Sequence, residues 1–206
     1  MDIHIHNLSK KFNKEWIFKD INFNFKRGNS YSITGPNGSG KSTLLQIISG
    51  SIPATKGTVV YKSDQEVIDP EYFYQYQTQA NPYLELIEEF TLPELLKFHF
   101  TFKKIAGNLS ISEIINRLYL EDSKHKQIKN FSSGMKQRLK LGLAFFSESD
   151  VILLDEPTTN LDALGTKWYL NEVTKLLENT LIIISSNQKI EYEFCNKNID
   201  LRDFKD

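Results

Sequence analysis

The sequence predicts an α/β fold with a mostly parallel sheet, an N-terminal antiparallel β part and a small helical subdomain. Residues 151–154 and 181–184 are wholly apolar, which is typical of strands buried on both faces of a parallel sheet. Ile21, Phe23 and Phe25 alternate with asparagines, the pattern of a half-buried strand. Ser/Thr-x-x-Glu sequences at 91–94 and 110–113 are capping boxes, which predict two helix starts in the middle of the chain.

These observations predict one domain over residues 1–206, and its composition excludes several classes of protein. With 40% hydrophobic and 25% charged residues the chain has ordinary globular composition. Its net charge of −1 offers no basic excess, so we expect no nucleic acid partner. No apolar run is long enough to cross a bilayer, so we expect no direct membrane insertion. A single cysteine fits a reducing compartment, and we expect a cytoplasmic protein.

A glycine-rich segment follows the predicted strand 31–34 and precedes an apolar helix. It fits G-x-x-x-x-G-K-[ST], whose backbone N–H groups surround phosphate oxygens. We therefore predict the core of a P-loop NTPase, with Lys41 on the outer phosphates and Ser42 on magnesium; the alternative is a flexible loop with an incidental lysine. The predicted binding residues are Gly35, Pro36, Asn37, Gly38, Ser39, Gly40, Lys41, Ser42 and Thr43.

Beyond this loop, β-structure is predicted to resume at 59–61 and at the aromatic segment 72–77. The helical subdomain, at about 80–135, would then be inserted between the phosphate-loop half and a second α/β half. A Ser/Gly turn at 132–134 opens the helix that follows this subdomain. Ser132 can cap that helix, whose free N–H groups form an anion site. The alternative is an ordinary helix cap without a ligand.

The apolar strand at 151–154 ends in two carboxylates, Asp155 and Glu156. Such a position faces the crevice where parallel sheets bind ligands. Asp155 is suited to hold Mg²⁺, and Glu156 can orient or deprotonate an attacking water. The alternative is a surface acidic pair that simply follows a strand.

Taken together and in this order, these motifs resemble the nucleotide-binding subunit of an ATP-binding cassette (ABC) transporter over nearly the whole chain. The segment 132–135 resembles the family signature Leu-Ser-Gly-Gly-Gln, and 157–162 resembles the loop after the catalytic glutamate, with Asp162 as its aspartate. The short chain resembles compact bacterial subunits that pair with an unfused permease. The resemblance implies ATP and Mg²⁺ as ligands, and Glu156 and Lys41 as catalytic residues.

The resemblance also implies a homodimer or cassette dimer sandwiching two ATP molecules, each between the phosphate loop of one copy and the signature of the other. Ser132, Ser133 and Gly134 would then contact the nucleotide of the partner. Phe12 matches the aromatic residue that stacks on adenine; it could equally be a core residue, and Trp16 is a weaker candidate. The dimer would drive a separate transmembrane permease from the inner face of the cell membrane.

The chain departs from the family pattern at three places. Ser133 and Met135 replace a glycine and the glutamine of the signature. Asn187 stands where a histidine usually senses the γ-phosphate, so we expect sensing to survive and hydrolysis to be slower. The glutamine that contacts Mg²⁺ is hard to match; Gln79 is our choice, and the alternative is that Gln75, Gln77 and Gln79 are all surface residues.

The resemblance therefore implies the ATP-binding and hydrolysing subunit of an ABC transporter, which powers a separate membrane permease through ATP-driven dimerisation. Two alternatives stay open. The first is a non-transport ABC ATPase, and the second is a regulatory protein that binds ATP with little turnover. The transported substrate, the direction of transport and the identity of the permease are not encoded in this chain.

Overall fold

The computed structural model describes residues 1–64 and 66–205, and it confirms the α/β fold. A five-stranded sheet of wholly parallel pairs lies at its centre, with strand order β6-β7-β8-β3-β9. Its strands are β3 (Ser30–Thr34), β6 (Gln77–Ala80), β7 (Val151–Asp155), β8 (Leu181–Ser185) and β9 (Lys197–Asp200). Every residue of β7 and of β8 is buried, as their apolar runs predicted.

A second, antiparallel sheet of four strands is built from the N-terminal part, in the order β2-β1-β4-β5. Its strands are β1 (Asp2–Phe12), β2 (Glu15–Phe25), β4 (Lys56–Ser63) and β5 (Glu66–Ile68). Ile3 pairs with Phe25 and Ile5 with Phe23, so the apolar positions of β1 and β2 share a face. The predicted antiparallel part is thus confirmed.

Among the residues that the structure describes, six α-helices complete the fold: α1 (Lys41–Ile48), α2 (Leu92–His99), α3 (Ile111–Arg117), α4 (Ser133–Phe145), α5 (Ala163–Val173) and α6 (Lys189–Tyr192). The parallel sheet separates two hydrophobic cores. On one face, Val151 and Leu153 pack with α1 and the antiparallel sheet. On the other, Ile152 and Leu154 pack with α4, α5 and the helices between β6 and α4. Successive side chains of β7 point to opposite faces of the sheet, so this strand contributes to both cores.

The two capping boxes in the helical part form as the sequence predicted. The backbone N–H of Thr91 donates to the Glu94 carboxylate at 2.7 Å, and that of Ser110 donates to Glu113 at the same distance. These bonds satisfy donors that a helix start leaves free. Within the described residues, no helix is long and apolar enough to span a membrane.

The aromatic segment 72–77 is not a strand, and that prediction was wrong. Residues Pro70–Gln75 form a short 3₁₀ helix instead, and β6 begins only at Gln77. Asp69 caps this turn by accepting from the Glu71 N–H at 2.9 Å, and Pro70 favours the first helical position. One ring of the segment, Phe73, is buried and stacks on Tyr61 with ring centroids 3.8 Å apart.

Candidate nucleotide-binding site

The phosphate loop joins β3 to α1, and its glycines are required by geometry. Gly38 and Gly40 have φ angles of 75° and 100°, the left-handed region that favours glycine. A Cβ atom on Gly40 would lie 2.3 Å from Cγ2 of Ile17 on β2. Helix α1 begins at the next residue, Lys41, so its free N–H groups face the loop. This arrangement is suited to bind phosphate groups.

Lys41 lies at the centre of this loop, with only 6% of its surface exposed. Its Nζ donates to the carbonyl of Gly35 at 3.0 Å and to that of Pro36 at 3.3 Å. Burial lowers the pKa of Lys41, and the negative charges of Glu156 and Asp155 partly oppose that shift. The electrostatic coupling means that the fold brings the loop lysine and the two carboxylates together, although 114 and 115 residues separate them along the chain.

Asp155 is the last residue of β7 and is 4% exposed. Its Oδ1 atom is buried and has no hydrogen-bond partner among the described residues, and the same is true of the Ser39 hydroxyl in the loop. A buried, unpartnered carboxylate oxygen beside a phosphate loop fits a divalent cation, because Mg²⁺ prefers oxygen ligands. Ser42, in the first turn of α1, offers a half-buried hydroxyl.

Glu156 follows β7 with a φ angle of +46°, a left-handed conformation that is rare outside glycine. Its backbone N–H donates to the carbonyl of Ser185 at 2.9 Å, which ties it to the end of β8. Such backbone strain costs about 1–3 kcal/mol and clusters at functional sites. The turn lets Glu156 leave the sheet while Asp155 remains buried in it.

Asn187, two residues after β8, reaches the phosphate loop directly. Its Nδ2 donates to Oδ1 of Asn37 at 2.5 Å, and both side chains lie on the exposed rim. Three chain segments therefore meet at one end of the parallel sheet: the phosphate loop, the end of β7 and the segment after β8. A ligand bound to the loop would meet groups from all three.

The signature residues lie elsewhere, at the start of α4. Ser132 is exposed, and its hydroxyl accepts from the Met135 N–H at 3.2 Å, so it caps its own helix. Gly134 packs so closely on the loop after β7 that an added Cβ would lie 2.9 Å from the Asn160 carbonyl oxygen. Ser133 is also exposed. In the part of the chain that the structure describes, no hydrogen bond joins residues 132–134 to the phosphate loop.

Three further predicted residues have defined surroundings. Phe12 ends β1 with 48% of its surface exposed, and the Lys10 ammonium lies 4.8 Å from its ring centroid. That exposure argues against the core alternative. Asp162 caps α5, because its Oδ1 accepts from the Gly165 N–H at 2.7 Å. The weaker candidate Trp16 lies on β2, with the Lys11 ammonium 5.4 Å from its ring.

Gln79 lies away from the converging loops. It pairs with Leu153, two residues before Asp155, and lines a cavity at the sheet edge with Leu84, Phe98 and Leu143. None of the phosphate-loop residues lines that cavity. Extending the β6–β7 register by one residue beyond its last pair, Ala80 with Leu154, puts Asn81, not Gln79, opposite Asp155. The sequence carries no signal for this, because register depends on pairing between distant strands.

The fold and this convergence of loop, lysine and carboxylates define a P-loop ATPase. Comparison with known proteins narrows the class. The sequence profile of the ABC transporter family matches residues 18–159 of this chain. The chain belongs to the ABC transporter family, as one of its ATP-binding, ATP-hydrolysing subunits.

Individual relatives and solved structures agree. The ABC transporter ATP-binding protein YybJ of Bacillus subtilis is 32% identical over 94% of this chain and 89% of its own length. The lantibiotic transport ATP-binding protein SrtF of Streptococcus pyogenes is 30% identical over 92% of this chain and 81% of its own. The dimeric ATP-binding cassette MJ0796, in a post-hydrolysis state bound to ADP and Pi, superposes with a TM-score of 0.81 at 25% identity, covering 96% of this chain and 93% of that one.

Proposed function

We propose that ATP binds at the converging loops and that hydrolysis is carried out by residues from all three. The Lys41 ammonium and the N–H groups of residues 38–43 neutralise the phosphates. Glu156 orients and deprotonates the attacking water, and Asn187 donates a hydrogen bond to the γ-phosphate. Ser42 and Asp155 would hold Mg²⁺, which supplies charge neutralisation at the outer phosphates. The electrostatic coupling of Lys41 to both carboxylates supports these assignments.

We infer that two copies are needed for a complete site. The observation that carries this inference is the separation of the signature from the phosphate loop. Ser132 and Ser133 are exposed, and neither contacts the loop within one chain. An exposed helix start with free N–H groups is suited to bind the γ-phosphate held by a second copy. The dimeric state of the MJ0796 cassette supports the same arrangement. ATP then closes the dimer, and hydrolysis removes the bridging phosphate and favours opening.

We further propose that a separate permease couples this closure to transport at the inner face of the membrane. The cavity at the sheet edge supports a docking site there. Tyr74 and Phe102, both lining it, are 61% and 74% exposed, and Phe98 is 44% exposed. Exposed aromatic side chains in one groove are typical of protein interfaces. The groove lies between β6 and α2, where an apolar cytoplasmic segment of a permease would contact both.

A second candidate function is regulatory ATP binding with little turnover. Asn187 favours it, because an amide cannot carry the positive charge of a histidine. Its amide nitrogen also uses one of its two hydrogens on Asn37, which leaves one for a phosphate oxygen. A phosphate-release assay on the protein with its permease separates the two functions, since a regulatory protein would release little phosphate.

The dimer is tested with a variant that binds ATP without hydrolysing it. Glu156→Gln removes the proposed base and keeps the size of the side chain. With ATP and Mg²⁺, light scattering is expected to give twice the mass of the chain, and without ATP the mass of one chain.

The matched control is the double variant Glu156→Gln/Lys41→Ala, which lacks the loop ammonium and should remain a single chain at the same ATP concentration. Single chains in both samples, even with the permease present, would contradict the proposed ATP-bridged dimer. Undiminished turnover in Glu156→Gln would separately contradict the assigned base.

A further inference from the structure

A fully buried carboxylate lies directly behind the converging loops. Glu191, on α6, has no exposed surface, although the proposed reaction gives it no role. A carboxylate is rarely buried without specific partners, because its desolvation is costly. Its partners therefore indicate what it does.

Both carboxylate oxygens of Glu191 accept hydrogen bonds from the backs of two loops. Oε1 accepts from the backbone N–H of Thr158 at 2.7 Å and also from the Thr158 hydroxyl. Oε2 accepts from the hydroxyl of Ser186. All three donors are buried. Acceptance at both oxygens is what an ionised carboxylate provides, whereas a carboxamide has one acceptor oxygen and one donor nitrogen.

These partners are neighbours of the groups that face the nucleotide. Thr158 lies two residues after Glu156, and Ser186 immediately precedes Asn187. Backbone hydrogen bonds also hold these two segments. The Glu156 N–H donates to the Ser185 carbonyl, and the Ser186 N–H donates to the Ile33 carbonyl. Glu191 thus connects the loop after β7 to the segment after β8 from the buried side.

We propose that Glu191 is a positioning residue for ATP hydrolysis, which fixes Glu156 and Asn187 relative to each other. This inference rests on the roles proposed above for those two residues. The physical reason is that the carboxylate that activates water and the amide that donates a hydrogen bond to the γ-phosphate act together only at the correct separation. A displacement of about 1 Å at a reacting group can cost about a hundredfold in rate. One rigid acceptor shared by both loops holds that separation without touching the substrate.

The alternative is that Glu191 only stabilises the fold. Tyr169 offers a control, because its hydroxyl donates to the backbone carbonyl of Glu191 at 2.7 Å and makes no bond to the carboxylate. Tyr169→Phe removes a buried hydrogen bond to the same residue and leaves the two loops attached to the carboxylate. Glu191→Gln keeps the volume but puts a donor nitrogen at one of the two acceptor positions, so either the Thr158 donors or the Ser186 hydroxyl loses the acceptor that it now uses.

The experiment measures kcat, ATP affinity and amide hydrogen exchange for wild type and both variants. For Glu191→Gln we expect kcat to fall about ten- to a hundredfold, with ATP affinity within about threefold of wild type. We also expect faster exchange in residues 156–160 and 186–188. Tyr169→Phe should keep kcat within about threefold, even where its melting temperature falls.

Unchanged turnover in Glu191→Gln would overturn the proposal, and so would equal losses of kcat and melting temperature in the two variants. The exchange measurement does not depend on hydrolysis. If wild type shows no turnover, the proposed function fails, while faster exchange confined to the two loops of Glu191→Gln would still support the positioning role. Unchanged exchange in those loops would overturn it.

Discussion

The phosphate-loop region and the signature region of this molecule differ in how far they are complete within one chain. In the first, three distant segments already bond to one another: Asn187 bonds to Asn37 of the loop, and Glu156 bonds to Ser185 at the end of β8. In the second, the Ser132 hydroxyl only caps its own helix and the surrounding surface is exposed. The difference supports the proposal that a second copy of the chain completes the site at the signature.

The signature region is instead attached to the segment that follows β6. Lys140 on α4 donates to the carbonyl of Pro82 at 2.9 Å, and one turn earlier Lys136 pairs with Glu88 at 2.5 Å. Burial lowers the pKa of Lys140, and the charge of Lys136 adds to that shift. The signature helix is therefore bonded to the segment 81–88 at two points one helical turn apart.

The largest effect should come from breaking the phosphate-loop region at Gly40. Gly40→Ala places a Cβ against Ile17 in a left-handed backbone conformation, and we expect a loss of about 3 kcal/mol in the free energy of unfolding. Urea denaturation measures it. Gly107→Ala, in the helical part, is the control; it has a φ of +65° but open space around the added Cβ, so about 1 kcal/mol is expected. Equal losses of unfolding free energy in the two variants would mean that close packing against Ile17 does not require glycine at position 40.

Lysines from the two regions should differ in their effect on nucleotide affinity. We expect Lys41→Ala to weaken ATP binding about ten- to a hundredfold, because a charge-assisted contact is worth about 1.5–3 kcal/mol. Lys140→Ala removes an ammonium from the signature helix and should leave the affinity of a single chain unchanged. Titration calorimetry at a concentration where the protein is monomeric measures both. A comparable loss in Lys140→Ala would put the signature region in the binding site of its own chain.

Ser132→Ala sharpens the comparison with a smaller change. Loss of the helix cap should cost about 1 kcal/mol of stability. If the signature serves a second molecule, ATP affinity of the single chain should not change, whereas the ATP-dependent dimer should weaken. Thermal unfolding, calorimetry and light scattering test the three statements. An unaltered dimer would remove Ser132 from the interface.

The effect expected at Asn187 is on turnover. Asn187→Ala removes one hydrogen bond from an uncharged amide to the charged phosphate, worth about 1.5 kcal/mol, so turnover should fall about tenfold. Asn187→His should raise turnover and make it depend on pH around the pKa of an unperturbed imidazole, about 6.5. Steady-state phosphate release across this pH range measures both. Turnover that is insensitive to both substitutions would contradict contact with the γ-phosphate.

Local signals were enough to predict several parts of this structure. The buried strands β7 and β8 follow from uninterrupted apolar runs, and both capping boxes follow from residues three positions apart. The turn at Pro70–Gln75 was missed because its aromatic residues suggested a strand, while Asp69 and Pro70 favoured a helical turn. The roles of the site residues and the limits of the helical subdomain stay predictions.

The sequence by itself determined the α/β class, the phosphate loop and the carboxylates at the end of β7, because each depends on residues close together in the chain. Only the tertiary structure decided which distant groups meet. It brought Asn187 to Asn37, paired Gln79 with Leu153 rather than with Asp155, and buried Glu191 between two loops. The physical reason is that strand order and register depend on packing across the whole sheet, which no short stretch of residues specifies.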